Sequence, residues 1–195
     1  MVIPYDLALG VHPQSEGFTD HAVWDFAETG PDKYPLLMHA PYFDLYRKQV
    51  VKQPDLVLAM QLRGDAFTTA EMERNFRYYE AITVRDSSLS ASSQSVVAAE
   101  LGYLELAYDY LAEAALMDLE DRNHNTRDGL HMASLAGAWT ALVEGLGGMR
   151  ARDGKLWFTP RLPSDIGRLR FRVRYRGSGI EVETDGQSAT YRLWD

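Results

Sequence analysis

Apolar residues recur at helical spacing over most of the first 150 positions of the chain. The pattern predicts six helical segments: 43–51, 54–64, 68–81, 92–101, 103–119 and 130–147. Pro54 suits the first turn of its helix, where a missing N–H costs no hydrogen bond. Thr68 and Glu71 have capping-box spacing, and Gly102 can end a helix in the left-handed conformation. The segment 130–147 is apolar nearly all round, which predicts a deeply buried helix.

The pattern changes on both sides of these helices. Residues 1–34 hold many turn residues and little periodicity, so we predict an irregular lead-in. Beyond Gly148, short alternating runs are separated by Gly, Pro or Asp, which is typical of a small antiparallel sheet. These runs are 155–162, 169–177, 179–186 and 189–194. The sequence therefore predicts a mainly α fold with a small β appendage, divided into a helical region 1–150 and a β domain 151–195.

Composition narrows the class of protein. The 195 residues are 46% hydrophobic and 25% charged, which is typical of a folded globular chain. The absence of cysteine excludes a disulfide framework and thiolate metal sites, and the five histidines do not have metal-ligand spacing. No apolar run reaches the roughly 20 residues of a membrane helix, and the first residues lack the features of a signal peptide. We therefore expect a cytoplasmic protein without membrane contact.

Charge is unevenly distributed along the chain. The net charge is −8, but residues 151–195 hold nine basic and six acidic residues, against 11 and 22 in the remainder. We therefore expect the two parts to attract each other. The basic residues include a ladder at every second position: Arg168, Arg170, Arg172, Arg174 and Arg176. One face of a strand would carry all five, as a nucleic-acid surface or as a solvated or domain-facing surface. The acidic body favours the second interpretation, because it can neutralise the ladder and a nucleic-acid binder is usually basic throughout.

The segment 83–102 is unusually rich in small hydroxyls. It contains six serines: Ser87, Ser88, Ser90, Ser92, Ser93 and Ser95. The free N–H groups and the positive dipole end at a helix start suit an anion, and serine hydroxyls add donors without bulk. Arg85 adds a planar charged fork just before them. Phosphate is the anion that such a site favours, although a serine-rich helix cap facing solvent explains the same composition.

Two further polar groups are candidates for ligand binding. Arg127 and His131 flank the entry to the segment 130–147, and their spacing places them on one face if the helix starts early. Lys52 carries charge, and Gln53 can both donate and accept, as sugar hydroxyls require. A core histidine and a solvated helix junction are the structural alternatives for these two groups. The chain has no P-loop, no GxSxG, no HExxH and no glycine-rich dinucleotide turn.

Taken together, these segments resemble glycoside hydrolase family 65, which includes maltose, kojibiose and trehalose phosphorylases. The resemblance runs in unbroken order through the segments 3–6, 34–60, 75–111, 118–139 and 145–150. It implies the second half of an (α/α)6 barrel followed by a small antiparallel β domain. It also implies that Ser87, Ser88 and His131 hold phosphate. Arg85 joins this set as a cation where many members have His, and Lys52 with Gln53 would bind the substrate sugar.

The resemblance implies inverting phosphorolysis of an α-linked glucose disaccharide, with inorganic phosphate as co-substrate and no other cofactor. A carboxylic acid protonates the leaving oxygen while phosphate attacks the anomeric carbon from the opposite face. The family's acid is a glutamate in an upstream motif that this chain does not contain, and Glu80 and Glu100 lack its context. A hydrolase of the same family is an alternative, with Asp86, the carboxylate directly before the serines, as the candidate base.

The chain therefore resembles the C-terminal part of a family member. Half of a helical barrel would expose the apolar face that met the other helices, so we expect self-association or a partner that supplies the missing half. A non-catalytic interaction module that pairs with another chain is the second alternative to an enzyme.

Overall fold

A computed structural model describes residues 3–194 as a helical layer followed by two small antiparallel sheets. The helices are α1 Leu36–His39, α2 Tyr42–Leu45, α3 Asp55–Leu62, α4 Thr69–Ile82, α5 Ser90–Leu101, α6 Leu104–Leu116 and α7 Met132–Thr140, and α7 continues as a π-helical segment Ala141–Leu146. The strands are β1 Ala22–Val23, β2 Lys48–Gln49, β3 Arg150–Arg152, β4 Lys155–Trp157, β5 Leu169–Tyr175, β6 Ser178–Thr184 and β7 Ala189–Trp194. The prediction of a mainly helical fold with a small antiparallel sheet at its C-terminal end is confirmed.

The predicted helix boundaries at caps are confirmed. The Glu71 N–H donates to Thr68 Oγ1 at 3.2 Å, and the Thr68 N–H donates to Glu71 Oε2 at 2.8 Å, which completes the capping box of α4. Gly102 ends α5 with a φ of 88°, in the left-handed conformation. Pro54 stands directly before α3, which begins at Asp55.

The helix predicted over 43–51 is wrong beyond Leu45. Lys48 and Gln49 form β2, which pairs in parallel with β1 of the lead-in. The Gln49 amide explains the change, because it donates to the carbonyls of Thr19 and His21 and fixes the lead-in against the helices. Gln49 makes these two long-range hydrogen bonds from an extended backbone. Tertiary contacts therefore override the local helical pattern at this position.

Helix α5 lies at the centre of the fold. Val96, Val97 and Ala98 are 0% exposed, and α5 contacts α3, α4, α6, α7 and the π-helical segment. Helix α6 runs antiparallel to α5, and Ser95 Oγ donates to the Ala107 carbonyl at 2.7 Å between them. Ser134 Oγ donates to the Ala114 carbonyl at 3.0 Å between α7 and α6. Small residues let these backbones approach closely while their hydroxyls stay hydrogen-bonded.

The predicted deep burial of the segment 130–147 holds only in its second half. Within the π-helical segment Ala141–Leu146, the side chains of Ala141, Val143 and Leu146 are buried. Met132, Leu135 and Trp139 are 69%, 39% and 50% exposed. These three residues share one face of α7, because they have i, i+3, i+7 spacing. The opposite face places Ser134 against α6 and Gly137 against α5. This is an exposed apolar face of the kind expected from the sequence.

The C-terminal region contains a hairpin that the sequence analysis missed in part. Strand β3 was not predicted, and the run 155–162 is a strand only over Lys155–Trp157. Asp153 and Gly154 form the two-residue turn with φ values of 50° and 72°, as a type I′ turn requires. The Asp-Gly pair was the signal that could have revealed this hairpin. The larger sheet has the order β5–β6–β7, all antiparallel.

The arginine ladder is neutralised within its own sheet, so the expectation that the acidic body does this is wrong for three of its members. Arg168 pairs with Glu183 at 2.7 Å. Arg170 and Arg172 reach Glu181 of the neighbouring strand at 2.7 and 2.6 Å. The register of β5 and β6 brings the opposite charges together, because Arg172 lies directly opposite Glu181 and Arg168 and Arg170 reach a glutamate diagonally across the strands.

We expect Glu181→Gln to lower the stability of the protein near pH 7 and to flatten its acid dependence. Hydrogen bonds from two arginines lower the pKa of Glu181 to about 2, with Arg170 contributing more than Arg172. A lowered pKa stabilises the fold above the ordinary value of 4.5, and this contribution is lost as the pH falls through about 2. Urea unfolding across this pH range measures it.

The matched control is Glu16→Gln, because Glu16 is an exposed carboxylate in the lead-in. If Glu181→Gln and Glu16→Gln give the same unfolding midpoints at every pH, the Glu181 ion pairs do not stabilise the sheet.

We expect Gly137→Ala to destabilise the protein by about 1–3 kcal/mol, although alanine favours helices. A Cβ at Gly137 would lie 2.6 Å from Ser92 Cβ, so α7 would be pushed away from α5. Adding Ser92→Gly should recover most of the loss in urea unfolding. Gly167→Ala is the control, because a Cβ there meets no atom within 4 Å. Equal stability of the Gly137→Ala and Gly167→Ala chains would contradict the proposed close contact.

Candidate functional site

The starts of α5 and α7 lie at the same end of the helical layer. Arg85, just before α5, contacts Glu113 near the end of α6 at 2.7 Å. Ser134 in the first turn of α7 contacts Ala114, the next residue of α6, at 3.0 Å. Because the end of α6 touches both helix starts, the serine segment and His131 share one end of the layer. Two positive helix ends therefore point to the same side of the molecule.

Four of the six serines fall into two groups. Ser90 and Ser95 are buried and donate to the carbonyls of Lys52 and Ala107, so they serve packing between helices. Ser87 and Ser88 precede α5, and Ser87 Oγ accepts from the Leu89 N–H at 3.2 Å. The two residues predicted to hold phosphate are thus the ones outside the helix, next to its free N–H groups.

The Lys52–Gln53 pair is tied to the serine segment. Ser90 Oγ donates to the Lys52 carbonyl at 3.1 Å, which joins the start of α5 to the turn before α3. Lys52 has an exposed side chain, and Gln53 is partly buried with its carbonyl accepting from Gln14 Nε2 at 3.3 Å. The structure therefore brings the predicted sugar-binding pair next to the predicted phosphate segment, as a helix junction with a partly open face.

Lys52 and Asp86 line one cavity of about 290 Å³, between the start of α5 and the short helices α1 and α2. Burial raises the pKa of Asp86, while the N–H groups of Leu36 and Leu37 and the charge of Lys52 act in the opposite direction. Over the range 3–194, Asp86 Oδ2 is buried without a hydrogen-bond partner. The cavity is thus lined by the amine of Lys52 and the carboxylate of Asp86, which belong to two different sequence motifs.

Arg85 is already engaged by protein groups. Its Nη1 lies 2.7 Å from Glu113 Oε2, its Nη2 lies 3.9 Å from Glu80, and its guanidinium stacks 4.2 Å from the centre of the Tyr110 ring. Glu80 also accepts hydrogen bonds from Tyr110 and Gln94. Burial, helped by Glu80, raises the pKa of Tyr110, so its hydroxyl stays a donor. A phosphate at Arg85 would share this cation with two carboxylates.

His131 is held by a carboxylate that the sequence analysis did not single out. Asp118 Oδ1 lies 2.6 Å from His131 Nδ1, and Asp118 Oδ2 accepts from the His131 N–H at 2.8 Å. An ionised carboxylate can only accept hydrogen bonds, so His131 Nδ1 carries a proton and donates it to Asp118. The other ring nitrogen, Nε2, is then free for a ligand. The signal for Asp118 is weak, because it lies 13 residues before His131 and meets it only across the loop between α6 and α7.

Arg127 does not share a face with His131, so that part of the sequence interpretation is wrong. The helix α7 starts only at Met132, and Arg127 lies in a 3₁₀ turn with an 86% exposed side chain. Gly129 separates the two residues with a φ of 137°. The early helix start that would place the two residues on one face is therefore absent between Arg127 and His131.

The described part of the chain leaves the two halves of the predicted phosphate site unjoined. Between residues 3 and 194, no hydrogen bond connects His131 with Ser87 or Ser88. The same residues contain no group of three His, Asp or Glu side chains arranged for a metal ion. None of the helices they form has the length and apolar character needed to cross a membrane. The site is thus a set of donors around an open end of the helical layer.

Comparison with protein families identifies the class of protein. The model for the glycosyl hydrolase family 65 central catalytic domain matches residues 1–140, and the model for the family 65 C-terminal domain matches residues 149–195. The chain therefore belongs to glycosyl hydrolase family 65, as its motifs indicated.

The relatives include named phosphorylases. An α,α-trehalose phosphorylase of Thermoanaerobacter brockii is 43% identical over 99% of this chain, and an uncharacterised glycosyl hydrolase of Mycobacterium tuberculosis is 58% identical over the same share. A solved structure provisionally assigned as a kojibiose phosphorylase from the human microbiome covers 100% of this chain with a TM-score of 0.91 and 31% identity. The chain spans about a quarter of the length of these relatives: 25%, 24% and 27%.

We expect the neutral ring of His131 to carry its proton on Nδ1, because Asp118 accepts from that atom. The ring ¹⁵N chemical shifts measure the position of the proton. In the Asp118→Ala chain this preference should be lost. Asp128→Ala is the matched control, because Asp128 is exposed and lies on the same loop. An Nε2-bound proton in the unmodified chain would contradict the assignment.

Proposed function

We propose that this chain supplies the phosphate and sugar sites of an inverting phosphorylase that acts on α-linked glucose disaccharides. The observation that carries the proposal is the carboxylate-held His131 at the same end of the helical layer as the start of α5. A histidine fixed through Nδ1 presents Nε2 to a ligand, and a helix start with two serines presents N–H and O–H donors. Together these groups match the needs of a phosphate anion.

In the proposed site, Ser87, Ser88 and His131 contact the phosphate oxygens. Arg85 contributes positive charge from behind, since Glu113 and Glu80 already hold its guanidinium. Lys52 and Gln53 lie beside the serine segment and would bind hydroxyls of the sugar. The hydrogen bond from Ser90 to the Lys52 carbonyl supports this arrangement, because it fixes the distance between the two ligand groups.

The fold proposed for the whole catalytic region is an (α/α)6 barrel, of which this chain forms the second half, with the β domain starting after residue 150. The exposed face of Met132, Leu135 and Trp139 supports this proposal, because a barrel would cover it with further helices. The similarity to the kojibiose phosphorylase structure over the full chain supports it as well.

The proposed reaction exchanges a glycosidic bond for a sugar–phosphate bond. A phosphate oxygen bonds to the anomeric carbon, and the glycosidic oxygen leaves with a proton from a general acid. Glu80 is held by Tyr110, Gln94 and Arg85, and Glu100 is held by Arg150 at 2.7 Å. We assign neither glutamate as the general acid. We expect the acid to lie in a region of the longer relatives that is outside their match to this chain.

Hydrolysis is the second candidate, and the observation that favours it is Asp86. A hydrolase needs a carboxylate that activates water in place of phosphate. Asp86 lies in the cavity with Lys52 and has a buried oxygen without a partner among residues 3–194. Its raised pKa suits proton transfer, but the N–H groups of Leu36 and Leu37 act to lower that pKa and stabilise the carboxylate, which suits a structural role. Binding of phosphate decides between the two candidates.

We expect inorganic phosphate to bind the chain in a calorimetric titration, and His131→Ala to weaken this binding by at least about tenfold, the loss of one charge-assisted contact. Ser87→Ala should weaken it less, because backbone N–H donors remain. His39→Ala is the matched control, since His39 is an exposed histidine on α1. Unchanged affinity in His131→Ala, or no binding in the unmodified chain, would refute the assigned phosphate site.

A further inference from the structure

A second cavity lies at the opposite end of α5 from the serine segment. Its volume is about 360 Å³, and it is bounded by the C-terminal end of α5 and by the β3–β4 hairpin. Helix α5 has 12 residues and therefore separates the two ends by ~18 Å. Neither the phosphate residues nor the Lys52–Gln53 pair lines this cavity. It is thus separate from the site proposed above.

The hairpin places three large side chains on one face. Arg150 is directly opposite Trp157 in the register of β3 and β4, so the two side chains lie on the same side. Arg152 is two residues further along β3 and shares that face. The tight turn at Asp153 and Gly154 fixes this register. All three side chains line the cavity, together with Asp153.

The positive charges around the cavity are already matched. Glu100 at the end of α5 accepts from Arg150 at 2.7 Å and lies 3.8 Å from Arg152. Arg161 donates to the carbonyls of Ala99 and Glu100, the last turn of the same helix. The C-terminal end of a helix carries partial negative charge, which these arginines neutralise. A bare anion such as phosphate would find little surplus charge here.

The cavity nevertheless offers unused binding groups. Trp157 is 56% exposed, and within the range 3–194 its ring stacks on no other aromatic ring or cation. Asp153 adds a carboxylate acceptor at the rim. A flat apolar surface beside fork-shaped donors and a carboxylate fits a pyranose ring, whose C–H face is apolar and whose hydroxyls both donate and accept.

We propose that this cavity is a second carbohydrate site, which binds a neutral hexose unit of an α-linked glucose saccharide. The sugar ring stacks on Trp157, and its hydroxyls contact Arg152 and Asp153. The site holds sugar without performing chemistry on it, because Glu100 is occupied by the two arginines of β3. The choice of an α-linked glucose saccharide rests on the proposed function, whereas the site itself does not depend on phosphorolysis, since the phosphate ligands lie at the other end of α5.

Maltose titrated into the 195-residue chain tests the proposal. The double variant Lys52→Ala/Gln53→Ala removes the sugar contacts proposed near the serine segment, so the remaining binding reports the second cavity. We expect millimolar affinity, which is usual for an open site, and a shift of the Trp157 indole N–H signal in ¹⁵N NMR spectra. Trp157→Ala and, separately, Arg152→Ala should each weaken this binding at least about tenfold.

Two controls separate the outcomes. Trp139→Ala removes a tryptophan of similar exposure, 50% against 56%, and should leave the binding unchanged. His131→Ala should also leave it unchanged, whatever its effect on phosphate. The proposal is overturned if maltose does not bind the Lys52→Ala/Gln53→Ala variant. It is also overturned if adding Trp157→Ala or Arg152→Ala to that variant leaves its affinity for maltose unchanged. It is also overturned if inorganic phosphate, and not maltose, shifts the Trp157 signal.

Discussion

The burial of α5 is the constraint on which the rest of the structure depends. Helix α5 contacts helices on several sides at once, and most of the side chains that it buries are small or apolar. Serine satisfies this demand when its hydroxyl returns a hydrogen bond to a neighbouring carbonyl, as Ser95 does to Ala107. Gly137 of α7 completes the fit, because a larger residue would collide with Ser92. The close packing of α5, α6 and α7 follows from these small residues.

This packing also creates the two ends that carry ligand groups. Because α6 runs back along α5 and α7 returns along α6, the starts of α5 and α7 meet at one end. At the other end, the terminal carbonyls of α5 and the Glu100 carboxylate attract Arg150 and Arg161. The same helix thus offers donors to an anion at its beginning and binds arginines of the C-terminal region at its end. One helix therefore separates the two proposed ligand sites.

Charge works differently in the two parts of the chain. The basic C-terminal region attracts the helical body through a few arginines next to α5, whereas Arg168, Arg170 and Arg172 of the ladder pair inside their own sheet with Glu181 and Glu183. The overall charge asymmetry was visible in composition, but composition does not say which charges meet. Register decides it, because β5 and β6 place arginines opposite glutamates.

The sequence by itself determined the elements whose signals are local. The capping box at Thr68, the left-handed end of α5 at Gly102, the strands of the larger sheet and the family motifs all depend on residues within a few positions of one another. Tertiary structure decided the rest. It turned Lys48 and Gln49 into a strand, because Gln49 binds carbonyls about 30 residues away. It joined Asp118 to His131 across a loop, and it exposed Met132, Leu135 and Trp139 of α7 while burying Ser134 and Gly137. Contacts between distant residues leave no periodic trace in a single sequence, so only the folded chain reveals them.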